Sequence, residues 1–333
     1  MSPLLRRRAK PGGPPAPFVV ASPRSGTTLL RMMLDAHPQL AVPFETHFVP
    51  ELIAAVEAGG GPDAALEVMT GHRRWGDFYL EAGALGERLR SHDTLTPGDA
   101  VRSFYSLYAE SQGKSRWGDK TPEYVEFMRP IAGAVGEARF VHVIRDGRDV
   151  ALSRIRWRQE RSGKTPKVRR LARRWKEAIT VAREQARKID QYLEVRYEDL
   201  VAEPGSTLQR ICEFIELEYD PAMLAYHEGA AERMAEIDRT LPGTSDRLEL
   251  DASQRLAKHE MATKPPERDR IFAWRNDMSD EDRREFEQVA GELLSELGYP
   301  VGDDAVAAAS AIAEGGADPD PLGRKAEKVS GSD

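Results

Sequence analysis

The apolar positions of this chain fall into short β-branched runs, each followed by a polar turn and then by a segment of helical spacing. "PFVVAS", Pro17 to Ser22, is the first such run, and the apolar residues of "TTLLRMMLDAH" behind it recur at helical intervals. A strand, a loop and a helix are expected there. The same order returns at "ARFVHVIRDGRDVALSRIRW", where Phe140, Val141, Val143 and Ile144 suit a buried strand and Asp146-Gly147 turns into a helix. A long amphipathic segment from about Thr165 to Ile189 precedes a further strand, "YLEVRYEDL". Strands separated by helices imply parallel pairing with right-handed crossovers. The predicted fold class is α/β, a three-layer α/β/α sandwich with a central parallel sheet and ligands at the carboxyl ends of its strands.

Composition sets outer limits. The 333 residues suffice for one large domain, taken here as 17–301, between a flexible arm at 1–16 and a disordered tail at 302–333 rich in Ala, Gly, Asp and Ser. A net charge of -7 argues against a chain built to coat nucleic acid or an anionic membrane. The single cysteine, Cys212, sits on the apolar face of "QRICEFIEL"; it excludes an internal disulfide and a Cys-based zinc site, which fits a reducing compartment. The opening arginine run is followed by Pro and Gly rather than an apolar signal core, and no apolar run approaches the roughly 20 residues of a membrane span. A soluble, cytoplasmic protein is expected, with a homodimer left open.

The chemistry concentrates in "SPRSGTTLL". The N–H groups of Ser25, Gly26, Thr27 and Thr28 can converge on an anion at the positive end of the following helix, with Gly26 allowing close backbone approach. This P-loop-like turn lacks the Gly-Lys of a Walker A loop, so Arg24 supplies the fixed charge, and its guanidinium can fork onto a phosphate. Arg145 and Ser153 stand eight residues apart across the second strand-to-helix corner, a spacing that can put guanidinium and hydroxyl on one side of it.

With the first loop, this corner and "VRYEDL" in order, the chain resembles the PAPS-dependent sulfotransferases over roughly Phe18 to Trp274, and among them looks most like the tyrosylprotein sulfotransferases. The resemblance implies that residues 24–28 bind the 5′-phosphosulfate of 3′-phosphoadenosine 5′-phosphosulfate (PAPS), and that Arg145 and Ser153 hold its 3′-phosphate. It implies further that Tyr197 contacts the adenine and that Lys264, in "TKPPERDRIFAW", approaches the nucleotide. The Arg-Lys-Gly segment of the cytosolic branch is missing.

Sulfuryl transfer needs an in-line acceptor oxygen, a base, and positive charge on the departing phosphate oxygen, with no metal if side chains supply that charge. By resemblance Arg24 and Lys120 of "WGDKTPEY" serve the leaving oxygen, and Glu45 of "PFETHF" is the base. Phe44 and Phe48 are expected to enclose Glu45 and raise its pKa. His47 replaces an arginine of the tyrosylprotein pattern and is a candidate at the acceptor, as is Trp75 in "GHRRWGDFYLEAG", where core packing competes with a cap over the acceptor pocket. The acceptor is a hydroxyl of a small molecule, a sugar or a tyrosine, and the nucleotide product is adenosine 3′,5′-bisphosphate (PAP).

Two other classes compete. A kinase-like P-loop phosphotransferase needs Mg²⁺ and the absent Gly-Lys; a non-catalytic nucleotide or glycan binder has no use for Glu45 and Lys120. The strip from His142 to Lys188 carries 16 Lys and Arg against five Asp and Glu. Its tryptophans, Trp157 and Trp175, sit at helical positions rather than in a stacking motif, so nucleic acid is not the expected partner.

Overall fold

The computed structural model describes residues 12–244 and 249–313. Among the described residues six strands form: β1 (Ala16–Val20), β2 (Leu40–Ala41), β3 (Arg116–Trp117), β4 (Asp119–Lys120), β5 (Ala138–Ile144) and β6 (Tyr192–Arg196). Four make one sheet in the order β4-β1-β5-β6, with every pairing parallel; β2 and β3 form a separate parallel pair. Side chains of β1 alternate across the sheet. Val19 joins one apolar cluster with Val141, Val143, Leu30 and Trp175, whereas Phe18 and Val20 join a second with Phe104, Tyr105 and Ile131. The sheet is therefore covered by helices on both faces, and the fold is the α/β/α sandwich expected from the sequence.

The chain leaves β1 into the helix Thr27–Asp35, which packs in the first cluster, and leaves β4 towards the helix Met128–Ala134, which packs in the second. Because β1 lies between β4 and β5, connections depart to opposite faces at its carboxyl end, which opens a crevice there. The helices Gly147–Ser162 and Val168–Ala186 follow β5, and Ala252–His259 closes the crevice from the other side. Among the described residues no helix is long and apolar enough to cross a membrane.

Three boundaries differ from expectation. Ordered structure begins before residue 17: Ala16 pairs with Ala138, and the Gly12 N–H donates to Glu137 Oε2 at 3.1 Å, so polar anchors hold a segment whose composition reads as an arm. The run "YLEVRYEDL" is not one strand, since Tyr197 opens a helix, Tyr197–Ala202, directly after β6. The expected tail from Gly302 contains the helix Ala305–Ala313, with Ala305 and Ala309, one turn apart, buried in the first cluster. The remainder of the arm and of the tail lies outside the described residues.

Candidate functional site

The first loop ends on Gly26, which has φ +87 and caps the helix Thr27–Asp35. A Cβ on Gly26 would lie 2.2 Å from Cδ2 of Tyr197, so glycine is needed both for the backbone turn and for the close approach of that ring. Arg24 also has a left-handed backbone, φ 82, an uncommon conformation for a non-glycine residue and one that recurs where loops are shaped for ligands. The Ser25 hydroxyl donates to the carbonyl of Ser22 at 2.7 Å and closes the turn. The Leu29 and Leu30 N–H groups donate to the Gly26 carbonyl at 3.0 and 3.4 Å, while Thr27 and Thr28, ahead of them, line the crevice.

Arg24 Nε donates to Ser153 Oγ at 3.0 Å, which joins the phosphate loop to the helix after β5. Arg145, at the end of β5, places its guanidinium 4.3 Å from the centroid of the Tyr197 ring and donates from Nη2 to the Arg270 carbonyl at 2.8 Å. Its own carbonyl accepts from Trp175 Nε1 at 3.0 Å, so Trp175 is a core anchor. Burial, and then the charge of Arg145, push the Arg24 guanidinium below its ordinary value. Two guanidinia that repel one another across a cleft make a site that gains from an anion.

Arg24, Gly26, Arg145 and Ser153 line one cleft of about 530 Å³ together with Thr27, Thr28, Glu45 and Tyr197, whereas Ser25 and Trp175 do not reach it. Residues that sequence reasoning passed over line it too. Asp149, one turn after Arg145, has Oδ2 3.6 Å from Arg145 Nη2, and burial pushes its carboxyl up to about 7. His259 shares a 3.2 Å hydrogen bond between Nδ1 and Thr28 Oγ1, and its ring centroid is 5.6 Å from that of Phe44. Arg270 and Ala273 also line it, as does Trp157 of the basic strip. The i, i+4 relation of Arg145 and Asp149 was a readable signal; His259, 231 residues from Thr28, offered none.

Glu45 is paired on both oxygens. Lys120 Nζ, fully buried on β4, donates to Oε1 at 2.9 Å, and Arg74 Nη2 donates to Oε2 at 2.9 Å. His47, at φ 62, brings Nε2 to 3.5 Å from the same Oε2. The expected apolar enclosure of Glu45 is not what surrounds its carboxylate. Phe44 has the Arg31 guanidinium 3.9 Å over its ring, and Phe48 packs edge-on against Phe104 at 4.9 Å, so both rings are committed elsewhere. Cations, not aromatics, set the polarity at Glu45.

Beneath this pair lies a buried polar cluster. Tyr105, Thr46 and Thr121 all donate to Asp119 Oδ2, at 2.8, 3.0 and 3.2 Å, and the Thr46 N–H donates to Thr121 Oγ1 at 3.0 Å. The neighbours of Glu45 and of Lys120 are thus tied together. Burial pushes the Asp119 carboxyl up to about 6, against those three hydroxyls. A pKa raised by folding contributes stability that is full below the ordinary value of 3.8 and is lost as pH rises through about 6. Asp119→Asn, which cannot ionise, should therefore gain in Tm relative to the parent as pH rises from about 4 to about 6. Thermal melts across that window check it, and a constant difference between the two proteins would refute the assignment.

Of the expected site residues, His47 and Lys120 touch Glu45 without lining the cleft, and Trp75 and Lys264 lie apart from it. Trp75 packs in the second apolar cluster, 6.5 Å from the Phe104 ring, as core rather than as an acceptor cap. Lys264 is exposed and does not line the cleft, while its carbonyl accepts from the Tyr226 hydroxyl. Trp274, the last residue of that motif, is structural: its N–H donates to Asp149 Oδ1 at 2.9 Å and its Nε1 to Asp146 Oδ2 at 3.0 Å, under the Arg148 guanidinium. The basic strip is likewise divided. Arg148 is buried against Asp146 and Glu287, and Arg183 pairs with Glu194 and Glu296, while Arg156 and Arg161 line the cleft. Among the described residues no group of His, Cys, Asp and Glu is placed to hold a metal ion.

A crevice at the switch point of a parallel sheet, a glycine-turned anion loop and a buried Lys–Glu pair define a group-transfer site for a phosphorylated donor. The sequence model of the sulfotransferase family matches residues 15–221, more than half of the chain, and the chain belongs to that family; its reaction is the transfer of a sulfuryl group. A putative protein-tyrosine sulfotransferase of Caenorhabditis briggsae is 28% identical over 286 residues, covering 85% of this chain and 88% of the relative. The protein-tyrosine sulfotransferase of Drosophila melanogaster is 26% identical over 217 residues, 64% of this chain but 40% of the longer relative. Among solved structures, the sulfotransferase domain from the curacin biosynthetic pathway superposes with a TM-score of 0.55 at 20% identity, over 84% of this chain and 98% of that domain. That likeness is one of fold.

Proposed function

We propose that the protein transfers the sulfuryl group of PAPS to a hydroxyl of an acceptor, with Glu45 as general base. The observation that carries this reading is the Glu45 carboxylate in the wall of the cleft that Arg24 and Gly26 also line, held at 2.9 Å by the buried Lys120 ammonium behind it. PAPS supplies an activated sulfuryl group on its 5′-phosphate. The residues present fit such a donor: the Arg24–Arg145 pair favours a multiply charged anion, and the glycine turn lets Tyr197 close against the loop. The cationic face of Arg145 over Tyr197 suits a 3′-phosphate beside a purine.

In this mechanism Glu45 takes the acceptor hydroxyl's proton as the acceptor oxygen forms its bond to sulfur. The bond from sulfur to the 5′-phosphate oxygen breaks, and Lys120 and Arg24 stabilise the charge that the departing oxygen acquires. Lys120 must turn from Glu45 Oε1 towards that oxygen, which frees Oε1 for the proton. The acceptor class is a phenolic or sugar hydroxyl, and the protein-tyrosine sulfotransferase relatives support tyrosine among the options.

Calorimetric titration in EDTA with PAP, 5′-AMP and ATP tests the donor site. PAP is expected to bind at least about tenfold more tightly than 5′-AMP, a difference of about 1.4 kcal/mol for the additional phosphate. Equal affinities would sink the assignment of Arg145 and Ser153. Turnover of PAPS in EDTA with a tyrosine-containing peptide, a phenol and a sugar as probes then sorts the acceptor class.

A further inference from the structure

Glu45 is approached by Arg74, which no sequence motif marks and which leads to a second buried carboxylate. Nη1 of Arg74 lies 3.7 Å from Asp77 Oδ2. Asp77 is buried and held on both oxygens by Arg255, whose Nη1 donates to Oδ1 at 3.0 Å and Nη2 to Oδ2 at 2.6 Å. Arg255 Nη1 also donates to the Arg239 carbonyl at 3.0 Å. It belongs to the helix Ala252–His259, whose Ser253, Gln254 and Ala257 line the cleft. Charges thus alternate along Glu45, Arg74, Asp77 and Arg255, from the base to the cleft wall.

We propose that Arg74 is the positioning residue of the Glu45 base: anchored by Asp77, it keeps Glu45 Oε2 so that Oε1 alone meets the acceptor hydroxyl. The inference rests on the reading of Glu45 as base. The two cations on Glu45 differ in what they can do. Lys120 has a flexible stem and a second task at the leaving oxygen, whereas Arg74 is a planar fork fixed at its far side by a carboxylate that is itself clamped bidentately. When Lys120 turns away, Arg74 holds the carboxylate plane and with it the direction of the basic lone pair. The acceptor proton moves to Oε1, and Arg74 gains and loses no proton. His47, 3.5 Å from Oε2, and Arg24, whose guanidinium responds to the Glu45 charge, also face Glu45.

A misdirected base loses rate rather than affinity. In an assay with PAPS and an acceptor that wild type turns over, Arg74→Gln should lower kcat about ten- to a hundredfold. PAP affinity should stay within about twofold, and Arg74→Lys, which restores the charge but not the planar fork, should recover only part of the loss. Removing a cation from Glu45 favours its protonated form, so the acidic limb of the kcat–pH profile should move to higher pH in Arg74→Gln. In a Glu45→Gln background, adding Arg74→Gln should cost less than about twofold, because both act through one carboxylate. Multiplicative losses in the double variant, or an unmoved acidic limb with PAP affinity falling alongside kcat, would make Arg74 a structural residue and overturn the inference. If wild type binds no PAP, the donor reading falls and this inference with it; if wild type turns over and Arg74→Gln is indifferent, the inference alone falls.

Discussion

Glu45→Gln should lower kcat by about two to four orders of magnitude, the range that a positioned general base contributes, with PAP affinity nearly unchanged. The amide keeps the volume and one acceptor oxygen but cannot take a proton from the acceptor. It also leaves the buried Lys120 ammonium without its anionic partner at 2.9 Å, so some loss of stability should accompany the loss of rate. Single-turnover measurements with PAPS already bound separate the two effects. A variant that turns over like its parent would remove Glu45 from the chemistry and return attention to His47, whose Nε2 lies 3.5 Å away.

Gly26→Ala should weaken PAP binding about a hundredfold or more, a change of about 2.7 kcal/mol. Two costs combine. The backbone at φ +87 is strained for any residue with a Cβ, and that Cβ would sit 2.2 Å from Tyr197 Cδ2, so either the loop or the ring must shift. Both lie on the cleft that the nucleotide would fill. Gly59→Ala separates the terms, since Gly59 has φ +90 with open space around it. It should lower the melting temperature and leave PAP affinity alone. Equal affinity losses at the two positions would mean that the effect is global instability rather than the ring contact.

What the sequence disclosed was the part encoded over short distances. A β-branched run, a Gly-Thr-Thr turn and an amphipathic helix are contiguous, so the first loop was legible; Arg145 and Ser153 were legible because a strand end and two helical turns fix their relation. Glu45 and Lys120, 75 residues apart, became a pair only through resemblance, and the geometry then showed them in contact. Arg74 and His259 escaped notice because they reach the site by tertiary packing across the molecule. The aromatic cluster around Trp75 left two readings open in the sequence, since the same composition serves a core and a cap. The Ala-rich helix Ala305–Ala313 looks like a linker by composition, and it docks through small residues, Ala305 and Ala309, with Ile312 and Ala313 partly buried beside them. The enclosure expected for Glu45 failed because adjacency in sequence was taken for adjacency of side chains; Phe44 and Phe48 point their rings to other partners.

The pinning of Trp274 onto Asp146 and Asp149 bears on how the protein is made. The loop around Gly26 and then β5 are translated first. His259 and Arg270 of the cleft wall, with Arg255 and Trp274 packed near them, are all translated after β6. A nascent chain that has reached the end of the family match at 221 carries Arg145 without the Arg270 carbonyl that receives its guanidinium, and the crevice without its outer wall. Contacts that span so much sequence form late. A ribosome-bound chain stalled before residue 250 should therefore hold the sheet yet bind no PAP, because the wall that His259 and Arg270 supply has not been made.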